Sequence, residues 1–255
     1  TDTSLVTITN NNLATVQFDN GSWVTIKNVS IEHTGTTNAY GVQFRNQSDN
    51  NCIDSCRITV PLSTSSLFSP VCWSSSETSP SGSGLNGEFN KVSNNHIVHG
   101  YYGVRVQGDF NNHQDGNQVI NNIFEDIYWY GIYYQYQDSL DIIGNELDWT
   151  GTNVNADGIY GFDSEGTHVK GNDASDAPDW AFYMADGNFD NPTTRRIEVD
   201  NNFFSSQNDY GMFMDDVNDI DIFHNTAYGT YGFRYNDVAG MQCRNNIFVG
   251  SDFYS

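Results

Sequence analysis

The sequence predicts an all-β chain: a single right-handed parallel β-helix over residues 1–255, with about nine rungs of three short strands and an internal asparagine ladder. Three observations carry that reading. A pattern typified by Leu140-Asp141-Ile142-Ile143-Gly144-Asn145-Glu146-Leu147 recurs nine times, at intervals in the low to high twenties with one longer member, which marks a repeat architecture. Within the pattern, apolar residues repeat at strand spacing, since alternate residues on a strand share a face. A second periodic element, an aromatic or small residue followed by glycine and alternating apolar positions, precedes nearly every copy. Parallel crossovers strongly prefer the right hand, which sets the winding.

Aligned, the nine copies give three columns. The first reads Ile26, Ile53, Val92, Val119, Ile142, Val169, Val199, Ile222 and Cys243, and the third Ile31, Ile58, Ile97, Phe124, Leu147, Ala174, Phe204, Ala227 and Phe248. Between them stand Val29, Cys56, Asn95, Asn122, Asn145, Asn172, Asn202, Asn225 and Asn246. Each copy is thus a strand, a one-residue corner and another strand. Asparagine suits the corner because it tolerates left-handed backbone, and stacked copies would set amide over amide along the helix.

The preceding element supplies the remaining strand of each rung. It begins at Tyr40-Gly41, Tyr102-Gly103, Tyr130-Gly131, Asp157-Gly158, Trp180-Ala181, Tyr210-Gly211 and Tyr231-Gly232, with Val16 and Phe18 as its first copy and Val71 and Trp73 as its third. Rungs stacked at ~4.8 Å would make a rod of roughly 40 Å. Two insertions interrupt the period. One spans about residues 61–89 and contains the Ser, Gly and Pro-rich run Ser74–Gly84, which reads as a loop decorating the coil. A smaller one lies at about 186–194. Neither end carries an amphipathic helix or polar cap, so neighbouring repeats or other copies are expected to continue the stack.

Ten basic against 32 acidic residues give a net charge of −22, which argues against nucleic acid and anionic membranes as partners. No run is apolar enough to insert in a bilayer, no secretory leader opens the chain, and Thr1-Asp2-Thr3 reads as the start of an excised or processed segment. Four cysteines make no disulfide framework. Cys56 and Cys243 are expected to be free and buried, and Cys52 with Cys72 is the one pair that could bridge.

The segments Trp23-Val24-Thr25-Ile26-Lys27-Asn28, Asn50–Thr59 and Tyr130-Gly131-Ile132-Tyr133-Tyr134 carry a resemblance to the parallel β-helix repeat family, the superfamily that includes pectate lyases. The chain is most similar to long repeat proteins that bacteria secrete to their surface. That resemblance covers nearly the whole chain and implies the fold. It leaves function open, because the fold hosts lyases, glycosidases, epimerases, adhesins and spacers.

Lyases of this family use a basic residue beside a charge neutraliser, often Ca²⁺. Here His168 and Lys170, flanked by Asp141 and Glu198, could serve as such a base, and the competing account is a cross-rung charge ladder. Glycosidases need two carboxyl groups across a cleft. The pair Asp215-Asp216 resembles the paired acids of β-helical polygalacturonases, without the other elements of that site, and with Asp219 it offers the only Ca²⁺ candidate. No Zn²⁺ spacing, phosphate loop or nucleophile motif is present. The outward positions of the first strands read Gln43, Arg105, Tyr133, Tyr160, Tyr183, Phe213 and Arg234, four successive aromatics between two arginines. They form either a bracing stack or an exposed platform for sugar rings, helped by Trp129, Trp149 and Trp180.

The expectation is therefore a non-catalytic extracellular or cell-surface module of a larger protein or fibre, structural or adhesive, with polysaccharide as the candidate ligand. A polysaccharide lyase or glycoside hydrolase is the alternative, and a self-assembling filament subunit a further one. No cofactor is expected beyond Ca²⁺.

Overall fold

A computed structural model describes residues 6–188 and 195–254. Thr1-Asp2-Thr3 and most of the smaller insertion lie outside the described residues. Every pairing between named strands is parallel, and three sheets run along one axis. The first sheet has ten strands, from Ala14–Asp19 through Tyr102–Gln107, Tyr130–Gln135, Asp157–Phe162, Phe182–Ala185 and Tyr210–Asp215 to Asp252–Tyr254. The second has nine, from Thr25–Lys27 to Gln242–Arg244. The third is split into five and four strands, and Glu146 joins the halves through bridges to Ile123 and Asp173.

Strand register stacks like on like. Val104, Ile132, Ile159, Phe182 and Met212 follow one another inward and are fully buried, as are Val119, Ile142 and Val169 on the second sheet. Phe18, Phe44 and Trp73 stack at 5.0 and 4.5 Å. The glycine after each leading aromatic has a steric cause. A Cβ on Gly41 would lie 2.4 Å from Ile58, on Gly103 2.6 Å from Phe124 and on Gly131 2.2 Å from Leu147, so the third-column side chain occupies the space that a larger residue would need.

The corner differs from expectation in one respect. The left-handed residue is not the column asparagine but the one before it: Asn28, Ser55, Asn94, Asn121, Gly144, Gly171, Asn201, His224 and Asn245 all have φ between 53° and 65°. That residue turns the chain, which lets the following one, asparagine from Asn95 onward, project inward. Asn145 Nδ2 donates to Asn172 Oδ1 at 3.0 Å and to the Val119 carbonyl at 2.9 Å, while its Oδ1 accepts from Asn122 Nδ2 and the Asn122 backbone N–H. The same contacts link Asn95 to Asn122, Asn172 to Asn202, Asn202 to Asn225 and Asn225 to Asn246. A shorter row absent from the sequence reading stands at the opposite corner, where Asn51 and Asn90 donate up the stack and Asn117 donates to Gln137.

Two expectations about cysteine fail. Cys52 and Cys72 are free thiols on different sheets, one half-buried and one buried, and Cys243 is exposed because its rung has a stacked neighbour on only one side among the described residues. The larger insertion is pinned rather than loose. Gln43 donates to the Ser74 and Ser76 carbonyls at 2.9 and 2.7 Å, Ser74 Oγ accepts from Gly82, and Asn86 donates to Gln107 O at 2.6 Å. The loop thereby covers Gln43, fully buried on the outward face of the first sheet, while the buried Cys72 beside it packs with Tyr40.

Candidate functional site

Beyond that loop the outward face of the first sheet is aromatic. Tyr133 and Tyr160 stack at 4.9 Å and 19°, Tyr160 and Tyr183 lie 4.6 Å apart, and Tyr183 meets Phe213 edge-on at 5.3 Å. Parallel in-register strands fix these spacings, because a side chain on one rung sits one strand-width from its equivalent on the next. Arg105 lies 3.6 Å over the Tyr133 ring, and Arg234 lies 4.8 Å over Phe213.

The row is less exposed than the sequence suggested. Tyr183 is 8% exposed, Phe213 9% and Arg105 4%, while Tyr133 and Tyr160 are half-buried. The cause is a second row at the leading corner of the same strands. Tyr130 packs against Tyr133 and Tyr160 at 5.1 and 5.3 Å, Trp180 stacks on Tyr183 at 4.7 Å, and Tyr210 lies 5.2 Å from Phe213. Farther out, Trp129 stacks on Tyr101 at 5.5 Å. The accessible rim is made of half-buried Tyr101, Trp129, Tyr130, Tyr160 and Trp180. Trp149 is no part of it. Its ring is buried in the core, with the indole N–H donated to the Asp157 carbonyl at 3.2 Å.

Three carboxylates stand inside this aromatic slab. Asp157 takes the register position held by Tyr130 on the preceding rung and is 4% exposed. Burial, reinforced by Asp179 and Asp209 against the opposing Trp180 amide, pushes its pKa up to about 8. Burial and then Asp209 raise Asp179 to about 6, and burial raises Asp209 despite the indole N–H that Trp180 donates to it at 2.9 Å. At neutral pH Asp157 therefore favours its protonated form more strongly than Asp179 does. An aspartate between Tyr130 and Trp180 in a mostly aromatic column was the available sequence signal, and only the corner geometry brings Asp179 and Asp209 to it.

The other candidates are dispersed. His168 Nδ1 and Asp141 Oδ1 are 3.0 Å apart, and that bond raises the His168 pKa. Lys170 pairs with Asp200 at 3.1 Å, and His224 bonds the same carboxylate. These are cross-rung pairs on the outward face of the second sheet. Asp215 accepts from Asn236 at 2.7 Å, whereas Asp219 faces Arg196 at 3.2 Å, so Asp215, Asp216 and Asp219 do not converge as Ca²⁺ ligands. Among the described residues no three His, Cys, Asp or Glu side chains could hold a metal ion.

A family model described as "Right handed beta helix region" matches residues 110–255. The chain belongs to the right-handed β-helix family. Among solved structures, this family member is similar to the Streptococcus pneumoniae surface protein and adhesin PfbA, with TM-score 0.58 and 12% identity over 90% of this chain and 68% of that one. A second structure of the same adhesin gives TM-score 0.54 and 11% identity over 88% and 62%. The Dettilon tailspike protein gp208 gives TM-score 0.45 and 9% identity over 94% and 60%. At these identities the likeness is one of fold, and the β-helix spans about two thirds of the adhesin structures. No curated protein sequence matches the chain.

Proposed function

We propose that this β-helix is a rigid adhesive module of a larger extracellular or cell-surface protein and that it holds glycan on the aromatic rim of its first sheet. The observation that carries the reading is the slab itself. Rings from three adjacent columns present half-buried faces and edges over several rungs, and aromatic surface of this extent usually marks interaction. Pyranose rings offer C–H faces that stack on such surface, while Asp179 and Asp209 at the rim can accept hydroxyl hydrogens. A net charge of −22 selects against polyanionic glycans. The adhesin-like fold is in keeping with a surface role.

Hydrolysis is the second reading, favoured by Asp157, Asp179 and Asp209. A carboxylic acid with its pKa raised to about 8 beside a second raised only to about 6 is the kind of pairing a glycosidase uses to protonate a leaving oxygen and activate water. The lyase reading is weaker, because Lys170 and His168 are each tied to a carboxylate. Screening the native protein against immobilised neutral and acidic glycans, with reducing-end release measured in parallel, separates the two. Binding without turnover supports adhesion; turnover lost in Asp157→Asn supports hydrolysis. Absence of both reduces the module to a spacer or filament unit.

A further inference from the structure

At the other edge of the first sheet, where its strands turn toward the second, three hollows of about 590, 100 and 400 Å³ share wall residues. Gln47 and Leu85 line both the first and the second, and Asn112 lines both the second and the third. The hollows therefore form one groove parallel to the helix axis. It runs from Asp19 on the first strand of that sheet to Asp186 beyond the seventh, six rung steps or about 29 Å. One wall is the pinned insertion, through Ser75, Leu85 and Glu88. Near the far end Phe110, 59% exposed, stands edge-on to Tyr136 at 5.7 Å.

We propose that this groove is a second glycan-binding site, distinct from the aromatic rim, which takes an extended neutral polysaccharide along the axis. The rung period is close to the length of one pyranose ring, so a linear polymer meets similar groups at each step. Those groups are amides and carboxylates, able to donate to and accept from hydroxyls: Asn46, Gln47, Asn112, Asp138 and Glu165. Phe110 offers a stacking face. Carboxylates line the groove along its length, Asp19, Asp49, Glu88, Asp138, Asp163 and Asp186 among them, so it disfavours uronic acids and sulfated sugars. The walls are fixed in advance by the hydrogen bonds of the insertion, which lowers the ordering cost of binding.

The test titrates the native protein with neutral β-glucan and mannan hexasaccharides, and with polygalacturonate as the anionic control. Asn112→Trp fills the junction of two hollows and should abolish hexasaccharide binding. Phe110→Ser should weaken it about fivefold. Both residues are exposed, and an unchanged melting temperature confirms that the variants fold. Binding through the groove should also survive Trp129→Ala/Trp180→Ala. The proposal is overturned if no neutral hexasaccharide binds, if binding is indifferent to Asn112→Trp, or if the rim variant alone abolishes it. In that last case the rim reading stands and the groove does not.

Discussion

The backbone N–H of Trp180 donates to Asp157 Oδ1 at 3.1 Å, tying the most buried carboxylate of the aromatic slab to the residue that forms its rim. Asp157 is neutral when folded at pH 7, whereas in the unfolded chain it would ionise near the ordinary value of 3.8. The folded state therefore binds the extra proton between those limits. Its contribution to stability is complete below 3.8 and is lost as pH rises through about 8.

Thermal melts from pH 5 to 8.5 should accordingly show the native protein losing stability with rising pH. Asp157→Asn keeps the acceptor for Trp180 and removes the titration. The variant should give a flatter profile and a higher melting temperature at pH 8.5. Parallel profiles for the two proteins would contradict a protonated Asp157.

The Asn145 side chain makes four hydrogen bonds in the buried column, two as donor and two as acceptor. Replacement by Leu keeps the branched outline of the side chain and strands the partners on Asn122, Asn172 and Val119. Urea denaturation should show a loss of about 3 kcal/mol. A change near zero would mean that the column fills space without holding rungs together.

The left-handed corner makes a separate forecast at Asn201, whose φ is 56° and whose side chain is exposed. Asn201→Val should cost about 1–2 kcal/mol, because a β-branched residue is disfavoured in that conformation. Asn201→Gly should be close to neutral. If the two substitutions behave alike, strain does not govern this corner.

Much of the fold was legible because a β-helix repeats its constraints. Ile53 and Ile58 declare their strands by spacing, and most further copies vote the same way, although at Leu147 the third strand is reduced to isolated bridges at Glu146. The corner was misassigned by one residue because asparagine is favoured for two reasons, left-handed backbone at Asn121 and inward amide bonding at Asn122, and adjacent Asn-Asn pairs hide which is which. The aromatic strip was legible as a column, but its burial was not, since Trp180 and Tyr210 come from the strand's leading corner and only lateral packing shows that they cover Tyr183 and Phe213. The Asp157 group escaped notice for the same reason. Asp179 and Asp209 lie on separate rungs, and sequence spacing alone does not reveal a shared environment.

The most direct test of the adhesive reading is the affinity for an immobilised neutral glycan, measured with the groove closed by Asn112→Trp and compared with that of Trp129→Ala/Trp180→Ala in the same background. Both indoles are half-buried at the rim, outside the packed interior of the coil. The double variant should keep its strand content, lose a few degrees of melting temperature from broken ring stacks, and bind the rim ligand at least roughly tenfold more weakly. If the glycan binds both proteins equally, or neither, while only the melting temperature responds, the aromatic slab is a structural brace and the adhesive assignment of this face is wrong.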